Sequence, residues 1–260
     1  IDHINTGIKQ QYKITTEFGN HVYCSDNHRF PVYIKTKEQY KNANTLLKNK
    51  QDIELKDINL STNDYFVEIP IRQNTNKHTV MYGEQQVYQL LGYIYTDGTY
   101  NSDDRKEYRY YRFTTKYESV CKDYIQIINE GLGRELGNPY KTRYTGQLKG
   151  KHGKIYDVGV DMYHKQFHEN GEFVERWKSL IYNKDNKKEL NLELLSTLSY
   201  DEFIYFIAGC VDGDGWIEPY GISICNYEKN DNAIQKLQEL CLWNGIVTTR
   251  HDNYITIISV

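Results

Sequence analysis

A chain of 260 residues, 39% hydrophobic and with 25 tyrosines adding apolar bulk, can bury a sizeable core in one large or two modest domains, while a net charge of −3 excludes a uniformly basic coat. No apolar run approaches the length of a membrane span and no signal-peptide pattern opens the chain, so a cytoplasmic, membrane-free protein is expected. Cys24, Cys121, Cys210, Cys225 and Cys241 are odd in number, lack any C-x-x-C spacing and fall mostly in apolar stretches, which excludes a disulfide framework or a thiolate zinc site.

In chain order, Lys13 to Tyr33 predicts a β-hairpin, with its turn at Phe18-Gly19-Asn20 and alternation through Val22 and Cys24. Ser25-Asp26-Asn27-His28 comes next, then a basic run (Lys35, Lys37, Lys41, Lys48, Lys50), then Leu60 to Pro70. Ser25 to His28 resembles the T-x-x-H block of intein splicing domains, with serine for threonine. Leu60 to Pro70 resembles their Leu-x-x-Gly-Asp-Tyr segment, with Asn63 for glycine. The resemblance implies a small, mostly β, Hint-like segment over residues 1–82, in which His28 polarises a peptide bond. Splicing needs a Cys or Ser at the first residue and His-Asn at the last; here the ends are Ile1 and Ser259-Val260.

From residue 83 a different signal begins. Leu90-Leu91-Gly92-Tyr93-Ile94-Tyr95-Thr96-Asp97-Gly98 is an apolar run of about two helical turns that ends in aspartate and glycine, and Ile207-Ala208-Gly209-Cys210-Val211-Asp212-Gly213-Asp214-Gly215 repeats it. Each run has a glycine where another backbone could approach, and each delivers a carboxylate to a helix C-terminus, where the helix dipole favours cations. Two such carboxylates brought together call for a positive partner, and a hard divalent ion such as Mg²⁺ suits oxygen ligands.

The elements after each run repeat as well. Asp97 is succeeded by a strand pair, with Tyr108 to Lys116 the stronger member, and by a helix opened by Tyr117-Glu118 and closed by Glu130-Gly131. Two later strands are Asn138 to Tyr144 and Lys154 to Tyr163. After Asp214 come Trp216-Ile217, a turn at Pro219, a strand from Tyr220 to Cys225 and a helix carrying Ile234, Leu237, Leu240 and Cys241. That helix stops at Asn244-Gly245, and strands Ile246 to Arg250 and Tyr254 to Val260 complete the set.

On these motifs, residues 83–260 resemble the single-chain LAGLIDADG homing endonucleases. The resemblance implies an α+β fold of two pseudo-symmetric αββαββ subdomains with saddle-shaped antiparallel sheets, one over 83–198 and a short one over 199–260. It implies that Gly92, Ala208 and Gly209 pack the motif helices together. Asp97 and Asp214, with the backbone carbonyls of Thr96 and Gly213, become candidate ligands for catalytic Mg²⁺ or Mn²⁺, and Lys116 or Lys165 a basic residue of the active site. The second motif keeps an acid, Asp212, two residues before its metal ligand, where the first has Tyr95.

Between Gly98 and Lys154 twelve Lys and Arg face seven acids, a local excess suited to a phosphate backbone. Arg105, Arg109, Tyr111, Arg112, Lys141, Arg143, Lys149, Lys151 and Lys154 are the expected contacts to double-stranded DNA, with arginine reading guanine bidentately. The expected protein is a monomeric, metal-dependent, site-specific endonuclease. A non-cleaving, maturase-like nucleic-acid-binding protein on the same scaffold and an intein fragment active in protein splicing remain as alternatives.

Overall fold

The computed structural model describes residues 10–15, 21–26, 28–34, 50–54, 57, 65–67, 84–103, 108–149, 155–169, 171–219, 221–225 and 231–258. The chain divides into two compact units, Ile1–Arg72 and Gln73–Val260.

In the first unit, β1 (Tyr12–Thr15) and β2 (His21–Cys24) pair antiparallel with Tyr12 opposite Cys24. The expected single hairpin is broken after Cys24. The His28 amide donates to the Ser25 carbonyl at 3.1 Å, turning the chain, and β3 (Arg29–Ile34) enters a separate sheet between β4 (Lys50–Glu54) and β5 (Tyr65–Val67). The turn at Phe18-Gly19-Asn20 and the lysines at 35, 37, 41 and 48 lie outside the described residues.

The second unit begins with α1 (Glu84–Thr96), β6 (Thr99–Asp103), β7 (Tyr108–Thr115), α2 (Glu118–Gly131), β8 (Tyr140–Lys149) and β9 (Ile155–His168). A connector comes next: α3 (Gly171–Phe173), a π-helical turn Val174–Lys178, α4 (Ser179–Ile181), a bridge pairing Tyr182 with Lys188, and α5 (Leu192–Leu195). Then the earlier order recurs as α6 (Tyr200–Asp214), β10 (Gly215–Glu218), β11 (Gly221–Cys225), α7 (Asp231–Trp243), β12 (Thr248–Arg250) and β13 (Tyr254–Ile258).

Both four-stranded sheets are antiparallel and arranged alike, β6-β7-β9-β8 and β10-β11-β13-β12, so the last strand of each set lies between the second and the third. Helix α6 starts where Ser199 and Glu202 form a reciprocal capping box, each satisfying an otherwise unpaired amide of the first turn. In α2, Cys121, Tyr124, Ile125 and Ile128 recur at helical spacing and bury one face beside Phe113. The two long strands exceed their expected lengths. β9 runs on to His168 because β7 pairs with it as far as Tyr110, and Lys165, expected just beyond the last strand, therefore lies inside β9 opposite Phe113. The core joins Leu90, Leu91, Tyr93 and Ile94 of α1 to Phe203, Phe206, Ile207 and Cys210 of α6. No described helix is long and apolar enough to cross a membrane.

Candidate active site

The site is built where α1 and α6 touch, and the contact is reciprocal. A Cβ at Gly92 would strike the Phe206 carbonyl oxygen and lie 2.8 Å from the Cys210 nitrogen. At Gly209 it would strike the Gln89 carbonyl oxygen and lie 2.8 Å from the Tyr93 nitrogen. Each glycine thus meets the residue three before and the residue one after its counterpart. Backbones this close exclude any side chain at either position. Ala208, expected to share this role, is half-buried, and the close approach is carried by the two glycines.

One turn further on, the helices still touch. A Cβ at Gly213 would collide with Thr96 Oγ1, which itself is turned back onto the carbonyls of Gly92 (3.0 Å) and Tyr93 (3.2 Å). The next residues in each chain direction are Asp97 and Asp214. After each the chain reverses over its own helix, and a Cβ at Gly98 or Gly215 would press into the last turn, 2.5 Å from Ile94 Cα or from the Val211 carbonyl oxygen. Glycine is therefore required directly after the aspartate at both helix ends.

Asp97 feels the charge of Asp214. Asp97 is pushed up to about 6, first by burial and then by the negative charge of Asp214, against the pull of the Tyr93 hydroxyl, 3.4 Å from its carboxylate, and of Lys188. Burial likewise raises Asp214, with Lys188 again opposing. Tyr93 also donates to the Thr114 carbonyl at 2.8 Å, which ties the site to the end of β7, and its phenol is raised by burial and by Asp97. Two carboxylates with the Thr96 carbonyl beside them form a hard-oxygen donor set. That set fits a small divalent cation completed by water and phosphate oxygens. Among the described residues no group of three or more His, Cys, Asp or Glu offers an alternative cage.

The remaining acid of the motifs has a structural task. Asp212 accepts from Gln89 Nε2 (2.9 Å) and from the Tyr124 hydroxyl (2.7 Å), and so staples α6 to both α1 and α2. Of the two expected active-site lysines, Lys116 is exposed with its Nζ 5.0 Å from the Tyr117 ring centroid. Lys165 is only 8% exposed; its Nζ donates to the Asn138 carbonyl at 2.9 Å and sits over Tyr140. The lysine whose charge reaches both aspartates is Lys188 of the connector, with its Nζ 3.0 Å from the Thr96 carbonyl oxygen. Sequence reasoning missed it; the only local signal is the turn-rich Asn183 to Lys188 stretch between apolar residues.

Strand alternation sorts the expected DNA contacts onto two faces. Along β7, Arg109, Tyr111 and Phe113 share one face and Tyr110, Arg112 and Thr114 the other, and the buried Tyr111 and Phe113 show that helices cover the first. Tyr111 is corrected accordingly. It is 0% exposed, donates to Glu169 at 2.9 Å and stacks on Phe167, so it is a core residue and not a groove contact. Arg109 lies on that same face and approaches Glu169 at 3.9 Å.

Through the register, Lys141 and Arg143 share the helix-side parity of Tyr163 and Asp161. Lys141 pairs with Asp161 at 2.8 Å, and Arg143 lies over Gly159. The uncovered face holds Arg112 with Thr99 and Gln166 beside it, then Thr114, His164 and Tyr140, then Thr142 and Met162. Lys149 ends β8, and Arg105, Lys151 and Lys154 lie outside the described residues. In the first unit, Ser25 and His28 lie between β2 and β3 and are joined by the hydrogen bond from the His28 amide to the Ser25 carbonyl.

No family model matches the chain, and no curated protein matches it. Among solved structures the chain is distantly similar to I-DmoI in complex with DNA and Mn, at 17% identity over 68% of this chain and 90% of that one, with a TM-score of 0.43. It is likewise similar to the homing endonuclease I-WcaI bound to its DNA recognition sequence, at 15% identity over 70% and 77%, TM-score 0.42. The N-terminal LAGLIDADG domain of WhiA is similar at 11% identity over 73% and 82%, TM-score 0.38.

Proposed function

We propose that the protein is a site-specific DNA endonuclease of the LAGLIDADG kind, hydrolysing one phosphodiester in each strand with the help of divalent cations. The observation that carries this reading is the meeting of Asp97 and Asp214 at the ends of two reciprocally packed motif helices, where the charge of one is felt by the other. The recurring element order and the like strand order of the two sheets support an internally duplicated, pseudo-symmetric fold, so that a monomer presents both half-sites.

Asp97, Asp214 and the Thr96 carbonyl would hold the metal, Mg²⁺ or Mn²⁺, which when bound activates water and offsets charge on the departing oxygen. The chain's own residues do the rest. Asp97 must be ionised to bind, and the Tyr93 hydroxyl of α1, anchored on the Thr114 carbonyl of β7, lies 3.4 Å from its carboxylate. Asp212 ties α6 to α1 through Gln89 and to α2 through Tyr124, adding stability without contacting the metal. The uncovered face of the β6-β7-β9-β8 sheet offers Arg112 for guanine and Gln166 for adenine, a pairing suited to major-groove edges. Residues 1–82 are read as part of a Hint-like splicing fold, a reading carried by the resemblance of Ser25 to His28 and of Leu60 to Pro70.

Incubating the protein with a randomised plasmid library and Mg²⁺, then sequencing the linearised products, tests the proposal. A single recurring cut site that disappears with Asp97→Asn is expected. Uncut plasmid, or equal cutting by the variant, overturns it.

A further inference from the structure

The connector between β9 and α6 reaches into the site. Its turn is firmly built. The Asn183 side-chain oxygen accepts from the amides of Asp185 and Lys187, both at 3.0 Å, the Asn183 amide donates to the Lys187 carbonyl at 2.9 Å, and Asn186 takes the left-handed conformation at φ 58°. Beyond it the Glu189 amide donates to the Ile181 carbonyl at 2.9 Å, while its carboxylate is held by Lys236 at 2.8 Å and by Asn183 Nδ2 at 3.1 Å. The backbone at Lys188 is thus fixed from both sides, and its half-buried side chain extends to Thr96, next in sequence to Asp97.

We infer that Lys188 is a tethered counter-ion of the metal site: its ammonium, 3.0 Å from the carbonyl oxygen of Thr96, the residue before Asp97, occupies an oxygen of the donor set, and a divalent ion must displace it to bind there. This inference rests on the metal-dependent function proposed for the site. Two carboxylates at the negative ends of packed helices repel each other unless a positive charge offsets them. A lysine also sits on a flexible four-carbon stem as a compact charge, so it can leave without disturbing the connector's backbone. A lysine that merely caps the end of α1 would add stability and leave metal affinity alone.

Mn²⁺ binding to the full chain without DNA, followed by the electron paramagnetic resonance of the free ion, separates these roles. Lys188→Met is expected to bind Mn²⁺ about tenfold more tightly or better, because a like charge has left the site, and Lys188→Arg to bind as the wild type does. In EDTA the Met variant is expected to melt below the wild type and to gain more on Mn²⁺ addition. Lys188→Gln serves as the neutral variant if circular dichroism shows the Met form unfolded. Mn²⁺ affinity equal to or weaker than wild type in the neutral variant overturns the inference alone, provided Asp97→Asn abolishes Mn²⁺ binding. Failure of wild type and variants alike to bind Mn²⁺ overturns the metal reading and the inference with it.

Discussion

Asp97 carries opposed demands. Its native value of about 6 against an ordinary 3.8 means that the folded protein holds this proton more tightly than the unfolded chain does. The carboxyl therefore contributes stability that is fully present below about pH 4 and is lost as pH rises through about 6, after which the charged form is a burden. Asp97→Asn is expected to melt higher than wild type at about pH 8 in EDTA and no higher near pH 4, as thermal denaturation at the two pH values will show. The proposed cleavage is expected to have the reverse dependence, since a carboxyl must be ionised to bind metal. Asp97→Asn and Asp214→Asn are both expected to abolish strand cutting on gels while leaving target binding by mobility shift largely intact. Wild-type cutting should rise between about pH 5 and 7.

At the scale of elements, the α1–α6 contact leaves no room for a methyl group. Gly209→Ala must push a Cβ onto the Gln89 carbonyl, and Gly92→Ala onto that of Phe206. Each is expected to cost about 1 to 3 kcal/mol or more in urea denaturation, with loss of cleavage because the acids separate. Tyr124→Phe removes a hydroxyl from Asp212 at 2.7 Å and is expected to lose about 1.5 to 3 kcal/mol while retaining cleavage, since Asp212 is a staple and not a ligand.

The helix pair was legible in the sequence because a glycine and an aspartate at fixed spacing occur twice, and repetition of a local pattern survives without knowledge of what packs where. Lys188 was not legible. It acts on residues some ninety positions earlier through a connector with no periodicity, and only the folded chain brings them together. The two faces of β7 were equally hidden. Arginine and tyrosine occur on both, so alternation shows that there are two faces without showing which one the helices cover, and Tyr111 is placed by Phe167 and Phe173, far along the chain.

For the whole molecule, the two sheets share an arrangement but not a chemistry. The uncovered face of the first offers Arg112, Gln166, His164 and Thr142. The corresponding face of the second carries Trp216 against Tyr254, with His251 stacked on that tyrosine and Ser223 bonded to Thr256 at 2.8 Å beneath. Recognition of DNA would then be lopsided, polar on one half-site and mostly stacking and methyl contact on the other. Arg112→Ala and Gln166→Ala are expected to relax base preference within the first half-site by about 1 to 3 kcal/mol per contact in competition binding, and Arg109→Ala to leave preference unchanged because it lies on the helix side.

The stretch from Tyr182 to Leu190 is bonded to α1 through Thr96 and to α7 through Lys236, with Lys236 also donating to the Leu190 carbonyl at 3.0 Å. It is a brace rather than slack cord. Grafting one half of this protein onto a foreign half through a glycine-serine tether would therefore discard a strut as well as a spacer, and working hybrids will be those that carry the native brace across with the half it stiffens.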